Sequence, residues 1–172
     1  KFKPNKIEKP WATTGKPPTR ERNYITSLHI KPEMLEKHNE KLVAKYEEVK
    51  KNEVRFEEIE TEDAEYLMVA YGLCARICHK AVNMAREKGI KVGLLRPITL
   101  FPYPSERLNV LADKMKAILT VELNSGQMVE DVRLAVNGKV PVDFYGRLGG
   151  MLPNPDEIVI KLENLIKKNH AV

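Results

Sequence analysis

Between Glu65 and Gly146 the sequence alternates short apolar runs with segments of helical periodicity, and this alternation constrains the fold more than any other feature. The apolar runs read EYLMVAY, KVGLLRP, KAILTVEL and PVDFYG. Short apolar runs bounded by turn signals are typical of buried strands, and strands that alternate with helices form a largely parallel sheet. The sequence therefore predicts a three-layer α/β/α domain, with helices on both faces of a mostly parallel sheet.

The segments between these runs have recognisable helix signals. Apolar residues recur at helical spacing from Leu73 to Lys88, and Gly89 follows as a stop signal. Ser105 is the predicted N-cap of a helix that extends to about Lys114. Two further helices are predicted, one in GQMVEDVRLAVNG with Gly138 closing it and one over residues 155–168. Together with an edge strand in EVRFEEIE, these elements place the domain at residues 54–172.

Residues 1–53 have a different composition and are predicted to form an arm followed by a long helix. Residues 1–26 are rich in proline, lysine and threonine, whereas residues from Pro32 to about Asn52 form an amphipathic helix with a narrow apolar stripe. That stripe favours packing across another chain. Trp11 lies in the polar arm and needs a groove, either on its own domain or on a partner. Because the chain starts at Lys1, we expect it to be a piece of a longer polypeptide.

Composition excludes several classes of protein. No window approaches the roughly 18 consecutive apolar residues of a membrane span, and the lysine-rich start lacks the apolar stretch of a signal peptide. A net charge of +5 raises nucleic acid as a partner, but the lysines alternate with glutamates, as on a solvated helix face. We therefore expect a cytoplasmic protein without a membrane or nucleic-acid partner.

The turn AYGLCAR has one glycine, Gly72, where a dinucleotide fingerprint needs three, so it is either a framework turn or an anion site at a helix N-terminus. Cys74 and Cys78, four positions apart, share a helix face and His79 follows them, but zinc and iron–sulfur sites need more ligands than this. Free cysteines among small apolar neighbours are usually buried. We predict no metal site, and buried structural cysteines.

Polar residues gather where the third apolar run ends. In VELNSGQMVEDVR, Glu122 and Asn124 end the strand and Gln127 begins a helix, which is where α/β sheets place their working surface. Alternatively, these polar residues are present because Asn124 or Ser125 caps that helix. Further on, GRLGGMLPNP presents Arg147 either in a buried turn or at a subunit contact. No catalytic serine, histidine and acid set is evident.

Two long stretches resemble a known family. The runs VAYGLCARICHKAVNMAREKGIKVGLLRPITLFPYP and VELNSGQMVEDVRLAVNGKVPVDFYGRLGGMLPNPDEI resemble the C-terminal part of the alpha subunit of 2-oxoacid:ferredoxin oxidoreductases, especially the 2-oxoisovalerate and 2-oxoglutarate members. The upstream KPWATTG and SLHIKPEMLEKHNEKLVAKYEEVKKNEVRFEE are similar to the segment before that domain. The resemblance covers nearly the whole chain, although it leaves open which 2-oxoacid is used.

The resemblance implies an enzyme of anaerobic metabolism that uses thiamine diphosphate, magnesium, iron–sulfur clusters and coenzyme A to convert a 2-oxoacid to an acyl-CoA while reducing ferredoxin. This piece would be its transketolase C-terminal-like domain, with an architectural role and with the other domains and subunits as partners. The chain lacks a Gly-Asp-Gly motif, a cysteine cluster and the family's YPITPS motif, of which RPITLFPYP is only an echo. We therefore expect no catalytic, cofactor or metal residue in this chain, and no activity from the chain alone.

The resemblance also indicates residues at the edge of a subunit interface or substrate channel. They are Trp11, Arg96, Asn124, Gln127, Arg133 and Arg147. An arginine in such a place either holds a carboxylate or phosphate bidentately or anchors a loop, and we favour the anchor. An alternative hypothesis is a stand-alone module that binds a small anion at the Gly72 and Gly126 turns.

Overall fold

The computed structural model describes residues 9–13 and 15–170, apart from the side chain of residue 170. The chain divides by compactness into two units, Lys1–Ala44 and Lys45–Val172. This division falls inside helix α1, Pro32–Asn52, and the domain boundary predicted after residue 53 stays a prediction.

The first unit contains the predicted arm, of which residues 1–8 and residue 14 lie outside the described residues. Over 9–13 and 15–31 the structure has no helix or strand. The Asn23 side-chain amide donates to the Pro10 carbonyl at 2.7 Å, and the Arg20 guanidinium donates to the Gly15 carbonyl at 3.1 Å. Polar contacts therefore fold the arm back on itself, while Trp11 stays 63% exposed.

Helix α1 begins at Pro32, where a missing N–H is harmless, and ends at Asn52. None of its residues is buried. A helix without a buried residue gains little from tertiary structure, so its exposed apolar residues Leu35 and Val43 are available for contacts with another molecule.

The second unit is built around a five-stranded sheet in the order β1-β3-β2-β4-β5. The strands are β1 Phe56–Ile59, β2 Tyr66–Ala70, β3 Val92–Pro97, β4 Ala117–Glu122 and β5 Val142–Gly146. Strand β2 pairs in parallel with β3 and β4, and β4 pairs in parallel with β5. Strand β1 pairs antiparallel with β3, with Glu57 opposite Arg96, which confirms the predicted edge strand.

Helices cover both faces of this sheet. They are α2 Gly72–Glu87, α3 Ser105–Ala112, α4 Met128–Val136 and α5 Pro155–His170. One apolar core contains residues of α2 and α5, and a second core on the other face contains residues of α3 and α4. The predicted three-layer architecture is therefore confirmed. Within the described ranges, no helix has the length and apolarity needed to cross a membrane.

The helix termini differ from the sequence predictions in two places. Helix α3 has Pro104 at its N-cap and no side-chain cap, so the prediction that Ser105 caps it was wrong by one position. Pro104 has no free side-chain acceptor, and the chain enters the helix from it directly. Helix α4 ends at Val136, and its C-cap Asn137 adopts the left-handed conformation (φ 51°) before the predicted stop, Gly138, does so too.

Both cysteines are buried in the core between the sheet and α2, with free thiols, which confirms the structural interpretation. Burial, with a smaller effect of the Glu122 carboxylate, raises the pKa of the Cys74 thiol to about 11. Burial also raises the pKa of Cys78. Neither thiol is a nucleophile at neutral pH.

Candidate functional site

The carboxyl ends of β2 and β4 define the place where such a sheet would bind a ligand. These two strands are neighbours, and the chain leaves β2 for α2 on one face and β4 for α4 on the other. In open α/β sheets this change of direction opens a crevice at the strand ends. Gly72 makes the first turn with φ +54°, a conformation that other residues rarely adopt.

Glu122 ends β4 and is the central group at this edge. Its side chain is fully buried, and its carboxylate accepts hydrogen bonds from the backbone N–H groups of Met128 (2.8 Å) and Val129 (2.9 Å). The Asn124 side-chain amide donates a third at 3.0 Å. Free amides at a helix N-terminus attract anions, and here the chain's own carboxylate satisfies those of α4.

Asn124 shapes the turn between β4 and α4. Its side-chain oxygen accepts a hydrogen bond from the Gly126 N–H at 2.7 Å, and Gly126 has φ +107°. Gly146 packs against the same turn so closely that a Cβ on it would clash with the Asn124 carbonyl oxygen. The alternative that Asn124 or Ser125 caps α4 does not match the structure, in which Asn124 supports the turn and Glu122 caps the helix.

Arg147 lies beside this turn and anchors the loop after β5. Its backbone N–H donates to the Glu122 carbonyl at 3.2 Å, and its guanidinium lies 3.8 Å from the Glu157 carboxylate. The Tyr145 hydroxyl donates to the same carboxylate at 2.7 Å, and this hydrogen bond lowers the pKa of Glu157. The Arg147 guanidinium is thus paired with an acidic residue of the same chain, Glu157.

Arg96 occupies a different part of the edge. Its guanidinium pairs with Glu57 across the β1–β3 register at 2.7 Å, and its Nε is buried without a hydrogen-bond partner in the described chain. This geometry fits an anchor for the edge strand.

The remaining predicted residues do not join the group around Glu122. Gln127 stands at the N-cap position of α4 with an exposed side chain that makes no cap hydrogen bond. Arg133 is exposed in the last turn of the same helix, at its far end. Trp11 belongs to the first unit. Within the second unit, the structure thus brings Asn124 and Arg147 together at Glu122 and leaves Arg96, Gln127 and Arg133 outside this group.

Sequence reasoning missed two groups near Glu122. The Tyr103 hydroxyl is buried without a partner among the described residues, and burial, followed by the charges of Asp131 and Glu122, raises its pKa. Burial, followed by the charge of Glu122, likewise raises the pKa of Asp131. Tyr103 lies in the FPYP run quoted above, but no spacing rule links it to a residue on β4.

The described residues do not fit the metal site or the iron–sulfur cluster that the resemblance implies for the complete enzyme. Within them, no group of three or more histidine, cysteine or acidic side chains could hold a metal ion. The chain's two cysteines face the core, whereas an iron–sulfur cluster typically needs four thiolates.

Comparison of the sequence with known protein families identifies the class of protein that has this fold. The family model described as pyruvate:ferredoxin oxidoreductase core domain II matches residues 64–158, which is more than half of the chain. The chain therefore belongs to this family, and the resemblance to 2-oxoacid:ferredoxin oxidoreductases is confirmed.

Individual members of the family show how similar this chain is to particular subunits. Ketoisovalerate oxidoreductase subunit VorB of Methanothermobacter marburgensis is 45% identical over 155 residues, which are 90% of this chain and 44% of that subunit. The 2-oxoglutarate synthase subunit KorA of Methanocaldococcus jannaschii is 33% identical over 75% of this chain and 34% of its own length. The chain thus spans less than half the length of the curated relatives it matches.

Solved structures support the fold. The 2-oxoglutarate:ferredoxin oxidoreductase from Magnetococcus marinus superposes with a TM-score of 0.69 and 22% identity, covering 79% of this chain and 24% of that one. A split-gene transketolase matches with a TM-score of 0.55 and 19% identity, covering 64% of this chain and 40% of that one. At these identities the likeness concerns the fold alone, and it is consistent with a transketolase C-terminal-like fold.

Proposed function

We propose that this chain is the non-catalytic assembly domain of an alpha subunit in a 2-oxoacid:ferredoxin oxidoreductase. The complete enzyme would oxidatively decarboxylate a 2-oxoacid, form an acyl-CoA and reduce ferredoxin. Thiamine diphosphate, magnesium, iron–sulfur clusters and coenzyme A would be bound by other domains and subunits, which are the partners of this chain. The proposal includes a cytoplasmic location, because free buried thiols suit a reducing compartment.

The observation that most supports an architectural role is that the potential anion-binding groups at the carboxyl ends of the strands are already paired with acidic side chains of the same chain. Glu122 satisfies the α4 amides that would otherwise receive a substrate carboxylate or a phosphate. Arg96 and Arg147, the basic side chains best placed to assist, are paired with Glu57 and Glu157. A sheet edge occupied by its own charges is suited to support neighbouring domains rather than to bind a small anion.

For the substrate we propose 2-oxoisovalerate ahead of 2-oxoglutarate. The support is relative similarity: the subunit named for ketoisovalerate is 45% identical over 90% of this chain, whereas the 2-oxoglutarate synthase subunits that match are 32% to 35% identical over at most 75%.

The test is an anaerobic purification of the native enzyme from its source, followed with an antibody to this chain and by mass spectrometry of every co-eluting polypeptide. We expect a longer polypeptide together with a thiamine-diphosphate-binding subunit and an iron–sulfur subunit. The preparation should reduce ferredoxin with 2-oxoisovalerate and coenzyme A, faster than with 2-oxoglutarate. The isolated chain should show no activity in the same assay. A free chain of this length without those companions would contradict the proposal.

A further inference from the structure

The carboxyl edge of the sheet is lined by exposed apolar side chains. After Tyr46, eight exposed large apolar residues lie in the loops or first helical turn that follow the carboxyl ends of β2, β3, β4 and β5: Leu73, Ile98, Leu100, Phe101, Leu123, Leu148, Met151 and Leu152. We call these eight residues the carboxyl-edge surface. Because the four strands are parallel and adjacent, their ends lie side by side at one edge.

This concentration is unusual for a free surface. Beyond the carboxyl-edge surface, the exposed large apolar residues after Tyr46 in the described chain are three scattered side chains on helices, Val110, Leu134 and Ile160. Phe101 meets the ring of Tyr46 edge-on at 6.1 Å, yet 62% of it remains exposed. Scattered apolar residues need no explanation, whereas a concentrated group marks a site of contact with another molecule.

Unpaired carboxylates lie around this surface although the net charge of the chain is +5, and the arginines at the same edge, Arg96 and Arg147, are paired with Glu57 and Glu157. Carboxylates stand in the first turns of the helices that start at this edge: Glu106 in α3, Glu130 and Asp131 in α4, and Asp156 in α5. In the described chain none of these four pairs with a lysine or arginine. The apolar surface therefore has an acidic rim.

The negative charge of that rim favours some classes of partner over others. Anionic lipid headgroups and nucleic-acid phosphates would both be repelled by unpaired carboxylates. A protein surface with an apolar centre and lysine or arginine at its rim would be complementary in both respects.

We propose that the carboxyl-edge surface docks onto another part of the same oxidoreductase, a protein surface that is apolar at its centre and basic at its rim. This inference rests on the proposed function, which supplies the partner. It adds to the proposed function the location of the contact. The edge of the sheet at which many α/β domains bind small ligands would here bind another part of the enzyme.

The experiment compares thiol labelling in the free chain and in the complete enzyme, with two matched substitutions. Leu148→Cys places a thiol in the carboxyl-edge surface, and Leu134→Cys places one on the outer face of α4, where the side chain is 79% exposed. Native Cys74 and Cys78 are buried and provide an internal baseline. Mass spectrometry of the labelled peptides gives the rate at each site.

In the free chain we expect both introduced thiols to react rapidly. In the complete enzyme the thiol at position 148 should react at least about tenfold more slowly, the ratio that corresponds to about 1.4 kcal/mol of closure. The thiol at position 134 should be unaffected. Adding Glu130→Lys should restore rapid labelling at position 148 by placing like charges at the rim, whereas Glu87→Lys, at the far end of α2, should not.

The outcomes separate this inference from the proposed function. An assembled, active enzyme in which position 148 reacts as fast as position 134 would overturn the docking surface and leave the function standing. Slow labelling of position 148 in concentrated free chain would replace the partner with a second copy and overturn the inference. A chain that enters no complex would overturn both.

Discussion

Glu122 is the residue whose role depends most on the three-dimensional structure. It is buried, charged and six positions before the first residue of the helix that it caps. Sequence rules search for a cap within a few residues of a helix start, so they selected Asn124 and Ser125 instead. A strand end that points its carboxylate back at the next helix cannot be recognised from local spacing.

Replacing Glu122 should destabilise the domain in proportion to the acceptors removed. Glu122→Ala leaves two buried amides without their charged acceptor, and we expect a loss of about 3 kcal/mol in the free energy of unfolding. Glu122→Gln keeps one acceptor oxygen and should lose about half as much. Urea denaturation measures both. Glu130→Gln, an exposed carboxylate in the same helix, is the control and should lose no more than about 1 kcal/mol. Equal stability of Glu122→Ala and the control would disprove the capping role.

The buried thiols give a second residue-level prediction. Raising the pKa of Cys74 from 9.0 to about 11 lowers its thiolate fraction near neutral pH about a hundredfold. We expect labelling of the native chain to be slower than labelling in urea by at least that factor, with Cys78→Ala used to isolate Cys74. The stabilising contribution of the raised pKa is complete below pH 9.0 and is lost as the pH rises toward about 11. Rapid native labelling would contradict the burial.

At the scale of elements, a bidentate ion pair joins the edge strand to a helix. The Arg107 guanidinium in α3 donates to the two carboxylate oxygens of Glu58 in β1 at 2.5 and 2.9 Å. The Thr61 hydroxyl donates to the same carboxylate at 2.6 Å. The hydrogen bonds from Arg107, ahead of that from Thr61, lower the pKa of Glu58. This pair fixes β1 to the domain where its own pairing is only four residues long.

This contact predicts a dependence of stability on pH. Because the pKa of Glu58 is lowered in the folded state, its contribution is present above its ordinary value of 4.5 and is lost as the pH falls below that value. Glu58→Gln should lower stability near neutral pH by no more than about 1 kcal/mol, since Arg107 is partly exposed. The variant should also lose less stability on acidification than the wild type. Urea midpoints at neutral and acidic pH test this, with the exposed Glu62→Gln as comparison; identical acid profiles for Glu58→Gln and the wild type would refute it.

The sequence predicted the elements better than their termini. Strands β2 and β4 are fully buried, and Gly72, Gly89 and Gly138 mark turns between elements, so the strands and helices form where expected in the described chain. Ser105 was mistaken for a cap because Pro104 fixes the entry to α3 without any side-chain hydrogen bond. Elements follow from periodicity over many residues, whereas a terminus depends on one contact.

At the scale of the whole molecule, the predicted interface residues of the second unit lie at several different places on it. Asn124 and Arg147 meet at Glu122, but Arg96 belongs to the β1 edge and Arg133 to the far end of α4. A resemblance reports that motifs match along the chain. It does not report which of them meet in space.

Trp11 tests the assembly role of the arm. It is the single tryptophan of the chain and is 63% exposed, so we expect it to bind a groove on a partner. Trp11→Ala should weaken association with the other subunits at least about tenfold, as truncation of a buried aromatic anchor does. The fold of residues 54–172, measured by urea denaturation, should be unchanged. Ile160→Ala, an exposed residue of α5, is the control, and unaltered association of Trp11→Ala would exclude the idea.

The carboxylate at the start of α4 also affects how the domain responds to its surroundings. A helix terminus that binds a free anion is stabilised by mass action, and its stability then varies with the concentration of that anion. Glu122 is covalently part of the chain, so the occupancy of this terminus is independent of any metabolite. The first turn of α4 therefore keeps the same stability whether phosphate or carboxylate concentrations are high or low, which suits the framework role proposed above.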